Sequence, residues 1–445
     1  MIVMKFGGSS LADAERVRRV ASIIGANRAK KPLVVLSAMG DTTDSLLEAA
    51  EKAVSGSVDV GAIETLHRET ARNLGIAAGE TDALLGELKT LLTGVSLVRE
   101  LSKRSRDYLV SFGERLSVRI TAAFLSKSGI LARAFDAWDA GFVSDSAFTQ
   151  AELLDDVWQA VPAAFAEYAS GKDGAIPVVT GFIAKDRKGT ITTLGRGGSD
   201  LTATMLGAAL RVDEIQTWKD VDGILSADPR IVPEAHPLHE ITYEEAAELA
   251  YFGSQVLHPR SMLPCRKTGT LVRVKNSYNI DSEGSVIVEA RREAAEPVRV
   301  ITAVKHSRLL DIVSTRMLGS AGFLAHIFNQ FLKWGTSIDV IATSEVSVSL
   351  TVNTAQDLSG LLEDIRHVSD VQCHDEKSIV TLICDVTQSS AILAKCFAAL
   401  AAHGINVQMI SQGASKVNIS LICDDAESDH VVRILHGAFF GTPHE

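Results

Sequence analysis

Apolar runs of strand length alternate with amphipathic helical stretches along the first half of the chain. Ile2 to Phe6 is followed by Ala12 to Ile24 and then by Leu33 to Ala38, and the same alternation returns with Ile176 to Ile183 and Leu201 to Leu210. Strand-length apolar runs separated by helices of this period indicate a parallel sheet covered by helices, an α/β fold. Residues 44 to 128, rich in Leu, Ala, Glu and Arg at helical spacing with Gly at the breaks, read as a mostly helical layer beside the sheet.

At 445 residues the chain exceeds one ordinary core. The pattern changes after Val274: Asn276 to Gly284 is polar and turn-rich, and Arg291 to Pro297 is a charged run that reads as a linker. These features divide the chain into residues 1–291 and 292–445. The second part repeats itself: at a constant offset of 69 positions, Leu324, Ala325, Phe328, Gly335, Ile341 and Val348 fall on Leu393, Ala394, Phe397, Gly404, Ile410 and Val417. Two copies of a small α+β unit, about residues 308–376 and 377–445, follow from that offset, each reading strand, helix, strand, strand, helix.

No stretch approaches the length of apolar chain that a membrane span needs, and the N-terminus lacks a signal-peptide layout, so a cytoplasmic protein is expected. A net charge of -11 argues against nucleic acid as a partner. The five cysteines are odd in number and contain no C-x-x-C pair, which supports neither a disulfide framework nor a zinc site, and no resident metal is expected.

Two glycine-rich turns sit between a strand and a helix. The first, Lys5-Phe6-Gly7-Gly8-Ser9-Ser10, offers backbone N–H groups and a lysine to an anion, although its lysine precedes the glycines and the Walker spacing is absent. The second, Leu194-Gly195-Arg196-Gly197-Gly198-Ser199-Asp200, adds an arginine able to grip a carboxylate with two hydrogen bonds. Either turn alone reads equally as a tight turn or a capped helix, but two of them, each with its own cation, suggest two anions brought together for phosphoryl transfer.

The segments KFGGSS (5–10), VVLSA (34–38), SFGERLS (111–117), TTLGRGGSD (192–200), WKDVDGI (218–224), DPR (228–230) and YFGSQVLHPRSM (251–262) resemble the amino acid kinase superfamily and, within it, the aspartokinases. The repeated C-terminal unit resembles tandem ACT domains, the regulatory module of that family. The resemblance implies an amino acid kinase fold, ATP and Mg2+ as cofactors, and phosphorylation of the side-chain carboxylate of L-aspartate. It assigns Lys5, Phe6, Gly7 and Gly8 to the ATP phosphates, with Lys5 and Asp200 catalytic. Thr43, Glu114, Arg196, Gly197, Gly198 and Ser199 would hold aspartate, Glu114 through its ammonium and Arg196 through its α-carboxylate. Because a β-carboxylate ordinarily titrates at about pH 3.9, it is already ionised at neutral pH and no strong general base is required.

Lys219, Asp220, Leu225, Arg230 and Gln255 would border the nucleotide. Lys219, Leu225 and Gln255 depart from many bacterial members and bring the chain closer to plant-type monofunctional aspartokinases; Lys219 is expected to replace the phosphate charge missing at Gln255. In the regulatory half, Met317, Ser320, Gly322, Phe323, Leu324, Ile338, Asp339, Ser344 and Glu345 are similar to the effector pocket of lysine-sensitive aspartokinases, with L-lysine the implied effector. The second repeat has Gln408 where the first has Asp339, so recognition should rest on the first. Pairing of ACT units between chains implies a homodimer or tetramer. A kinase for another carboxylate and an inactive amino-acid sensor are the remaining alternatives.

Overall fold

The computed structural model describes residues 1–77, 79–252, 257–290, 296–314, 322–354, 357–412 and 417–441. The chain separates into two compact units. One comprises Met1–Ile224, His239–Tyr243 and the segment up to residue 290; the other comprises Leu225–Leu238, residues 244–252 and the chain beyond residue 296. The expected division at residue 291 is therefore crossed twice, because two stretches that precede it pack with the C-terminal unit.

In the first unit eight strands form one sheet in the order Ala132–Phe135, Ile176–Thr180, Pro32–Leu36, Ile2–Phe6, Glu214–Lys219, Leu271–Asn276, Ser285–Val288 and Glu240–Thr242. Every pairing is parallel except that of Leu271–Asn276 with Ser285–Val288. Strands Ile2–Phe6, Pro32–Leu36 and Ile176–Thr180 are buried along their whole length. Helices on both faces demand that continuous apolar composition. The expected helical region resolves into Thr42–Val54, Gly61–Leu74, Gly79–Val98 and Lys103–Lys127. Ser102 caps the last of these by accepting the Ser105 N–H, and the helix runs through the core with Phe112, Glu114 and Leu116 buried. The helix expected from Ala12 begins at Ala14, where Asp13 accepts the Arg16 N–H; Gly8–Leu11 forms a single 3-10 turn before it.

The second unit holds one antiparallel sheet in the order Ile338–Thr343, Ser347–Asn353, Val298–Val313, Asp370–Cys384, Asn418–Asp424 and Met409–Ser411. Two strands serve both repeats. Residues 307–313 and 370–377 complete a four-stranded half with Ile338–Thr343 and Ser347–Asn353, whereas residues 298–304 and 379–384 complete the other half. At the joint the register shifts between Val304 and Ser307, and His306 and Glu376 adopt φ of 58° and 56°. Such a bulge bends a strand enough to pass it from one half-sheet to the next. The repeats are thus nested rather than consecutive: the last strand of the second half precedes the first half in the chain. Leu225–Leu238 and residues 244–252 add to this unit, Ala227 and Val232 joining the core around Val380 and Leu421, and Phe252 packing with Leu309 and Ile379.

Among the described residues no helix is long and apolar enough to cross a membrane. The five cysteines are unpaired, and burial pushes the thiols of Cys265, Cys384, Cys396 and Cys423 up to about 12.

Candidate active site

Parallel strands end together on one side of a sheet, and the loops that leave their carboxyl ends converge there. In the first unit the turns after Phe6, Leu36 and Thr180 surround a cavity of about 460 Å³ lined by Lys5, Gly8, Ser37, Ala38, Gly40, Thr43, Glu114, Phe182 and residues 195–200. Both glycine turns picked out in the sequence reach it.

Lys5 and Asp200 lie against each other: Nζ is 2.7 Å from Oδ1, with both side chains almost wholly buried. Asp200 stands in the first turn of helix Gly198–Leu210, makes no side-chain cap, and pairs with the Lys5 ammonium at the cavity wall. Gly8 has a steric reason: a Cβ there would lie 2.9 Å from the carbonyl oxygens of Ala38 and Gly40. Phe6 lies in the same motif. Its ring is fully buried and stacks on Trp218 at 5.9 Å, and its carbonyl accepts the Ser37 N–H, so the side chain belongs to the core.

Glu114 is buried, and its Oε1 accepts the Ala38 N–H at 3.2 Å. That approach depends on Gly113, where a Cβ would lie 2.7 Å from that of Ala38. The other carboxyl oxygen, Oε2, has no hydrogen-bond partner among the described residues. Burial pushes the Glu114 pKa up to about 8, with the Ala38 N–H opposing the shift. A cation delivered to this carboxylate would relieve the cost of its charge. Arg196 is exposed at the loop tip and has no ion pair among the described residues, which leaves its guanidinium available to a carboxylate. Lys219 is driven down to about 8, first by burial, then by Lys5, against the pull of Asp200 and Asp220. An incoming phosphate would push it back up.

Leu225 and Arg230 belong to the second unit. Leu225 bridges to Pro237, and the Arg230 guanidinium is engaged with Asp228 at 2.6 Å. Gln255 lies outside the described residues. Sequence reasoning took Ser37 and Ala38 only as part of the VVLSA segment and did not name Gly40 or Phe182. The last has φ of 67°, an unusual conformation for a bulky residue that marks a site held by its surroundings.

In the second unit Gly322 precedes helix Phe323–Trp334 with φ of 90°. Phe323 and Ile338 pack against the local core, Leu324 is partly exposed, and Ser344 forms a turn through Ser347. Glu345 is exposed. Met317 and Ser320 fall outside the described residues. Asp339, its carboxyl raised by burial, accepts a hydrogen bond from the Tyr251 hydroxyl at 3.2 Å, a link the sequence reading did not make.

The family profile of the amino acid kinases matches residues 1–276, and that of an ACT domain matches residues 384–439. Aspartokinase 2, chloroplastic, of Arabidopsis thaliana is 48% identical over 99% of this chain and 84% of its own length. The chain belongs to the aspartokinase family. Lysine-sensitive aspartokinase 3 of Escherichia coli is 32% identical over 99% of both chains. The crystal structure of E. coli aspartokinase III with aspartate and ADP superposes with a TM-score of 0.83 at 31% identity, covering 99% of this chain and 100% of that one. The form with lysine and aspartate gives 0.82 at 30%, over 99% of each. The protein is therefore an aspartokinase with ACT domains, a kinase that uses ATP to phosphorylate aspartate.

Proposed function

We propose that the cavity around Lys5 and Arg196 is where aspartate and the ATP phosphates meet, and that the ACT half makes the enzyme responsive to L-lysine. The available guanidinium of Arg196 takes the α-carboxylate. The unpartnered Glu114 oxygen takes the ammonium, and Thr43 closes the wall beside them. An oxygen of the β-carboxylate then attacks the γ-phosphorus as the bond to the β-phosphate oxygen breaks, giving ADP and 4-phospho-L-aspartate, the first step towards lysine, threonine and methionine. Lys5 and Lys219 stabilise the charge carried by the transferring group. The residues suit a magnesium ion carried on the phosphates: among the described residues no three His, Cys, Asp or Glu side chains cluster to hold a metal by themselves. When bound, that ion would neutralise phosphate charge, with Asp220 available beside Lys219.

The observation that carries the lysine reading is Asp339, a half-buried carboxylate whose pKa is raised and which an ammonium would stabilise. A lysine-sensitive relative 32% identical over nearly the whole chain supports it. Assembly as a homodimer or tetramer through the ACT half is supported by Leu324, Ile341, Phe397 and Ile410. These apolar side chains remain partly exposed, and Ile341 and Ile410 do so at matching positions of the two repeats. The test is ADP formation from MgATP and L-aspartate, titrated in parallel with L-lysine and L-threonine. Lysine alone should abolish activity; inhibition by threonine alone, or by neither, contradicts the effector assignment.

A further inference from the structure

The loop that carries Arg196 is braced from behind by the beginning of another helix. His258 caps helix Pro259–Thr268, and Arg260, the second residue of the helix, turns its guanidinium towards the loop. Its Nη1 donates to the Leu194 carbonyl at 3.1 Å and its Nη2 to the Ala151 carbonyl at 2.9 Å. One planar group thereby ties the entry of the loop to the neighbouring segment. Ala151 in turn donates its N–H to the Thr193 carbonyl at 2.9 Å. Thr193 is anchored on the other side, its N–H and hydroxyl each 2.9 Å from the buried Asp107 carboxylate. Past the arginine, a Cβ on Gly197 would fall 2.3 Å from the Cβ of His258, so that residue forms the backing of the turn.

The loop needs such support. Gly195 and Gly197 both adopt left-handed conformations, with φ of 71° and 72°, and glycine backbones have wide freedom when nothing holds them. Arg196 makes no ion pair among the described residues, so the direction of its side chain is set by the backbone on which it stands. Leu194 is fully buried, and loss of the Arg260 donor would leave its carbonyl without that partner away from water.

We propose that Arg260 is a positioning residue for aspartate, which fixes the entry of the 194–200 loop so that Arg196 meets the substrate carboxylate in one orientation. The proposal rests on the reading of Arg196 as the α-carboxylate ligand. A displacement of about 1 Å in such a group can cost up to about a hundredfold in rate, so the effect is measurable without loss of the fold.

The experiment is initial-rate kinetics on the full-length enzyme, with KM for aspartate and for MgATP determined separately and Tm alongside. The variants are Arg260→Gln, Arg260→Lys and Arg196→Ala. Arg260→Gln should raise the aspartate KM about tenfold while the MgATP KM changes less than about twofold. Arg260→Lys should fall between Gln and wild type, because an ammonium can reach a carbonyl but lacks the fork that holds two. Should the Gln variant not fold, the ratio of the two KM values in the Lys variant decides. A lower Tm with both KM values unchanged, or raised equally, makes Arg260 a structural residue only and overturns the proposal. An unchanged aspartate KM in Arg196→Ala would instead overturn the reading of the substrate site.

Discussion

Glu114 in the kinase unit and Asp339 in the regulatory unit are alike in one respect: burial raises the carboxyl pKa of each. Their partners differ. Glu114, on a long core helix, is anchored by the Ala38 backbone N–H, and its second oxygen has no partner among the described residues. Asp339 is bonded to a side chain, the Tyr251 hydroxyl, which can rotate away. The first arrangement suits a permanent receptor for a substrate ammonium. The second suits a site with two states, one satisfied from within the chain and one satisfied by a ligand. Position 408, the counterpart of Asp339 in the second repeat, has neither property. Gln408 is neutral and donates to Asp424 at 2.9 Å, and that carboxylate already has the Lys377 ammonium at 2.5 Å.

The largest effect that separates the two carboxylates should come from Glu114→Gln. Loss of a charged hydrogen bond worth about 1.5 to 3 kcal/mol raises the aspartate KM roughly 10- to 100-fold and leaves lysine inhibition intact. Stability should move the other way. With its folded pKa raised to about 8, Glu114 contributes stability that is complete below its unfolded pKa and lost as pH rises through 8. Glutamine stays neutral throughout, so the Tm of the variant should gain on that of wild type between pH 6 and 9. A Tm difference that shrinks over that range would break the burial argument.

Asp339→Asn should raise the lysine concentration for half inhibition about tenfold or more, with kcat and aspartate KM unchanged, whereas Gln408→Ala should shift it less than about twofold. Equal effects at the two positions would erase the distinction between the repeats. The smallest change is expected of Tyr251→Phe. With the competing hydroxyl gone, about 0.5 to 1 kcal/mol favours the ligand, and half inhibition should move two- to fivefold towards lower lysine. A shift to higher lysine would make the hydroxyl part of the bound state.

The sheet of the kinase unit was legible because its central strands are buried on both faces and therefore appear as uninterrupted apolar runs. The two glycine turns were legible because anion-holding backbone leaves a mark in composition. The direct pairing of Lys5 with Asp200 joins residues 195 positions apart, and no local pattern announces it. Arg260 and Tyr251 stand in the quoted 251–262 segment, but their contacts were hidden: Arg260 binds backbone carbonyls, which have no sequence signature, and the partner of Tyr251 lies 88 residues away. Phe6 lies inside a conspicuous motif, yet its ring belongs to the core, a placement the motif does not announce. The nested ACT halves were hidden for a geometrical reason. A comparison at one constant offset aligns elements that follow each other, and strand 298–304 stands on the wrong side of the first repeat to be found by it.

The most direct test of the account is the aspartate KM measured from pH 6 to 8.5 for wild type and Glu114→Gln. Aspartate should require the ionised carboxylate, so the wild-type KM should fall with rising pH and level off near pH 8, while that of the variant stays high and flat. Parallel profiles for the two enzymes, or a wild-type KM that rises with pH, would contradict the placement of the substrate ammonium at Glu114.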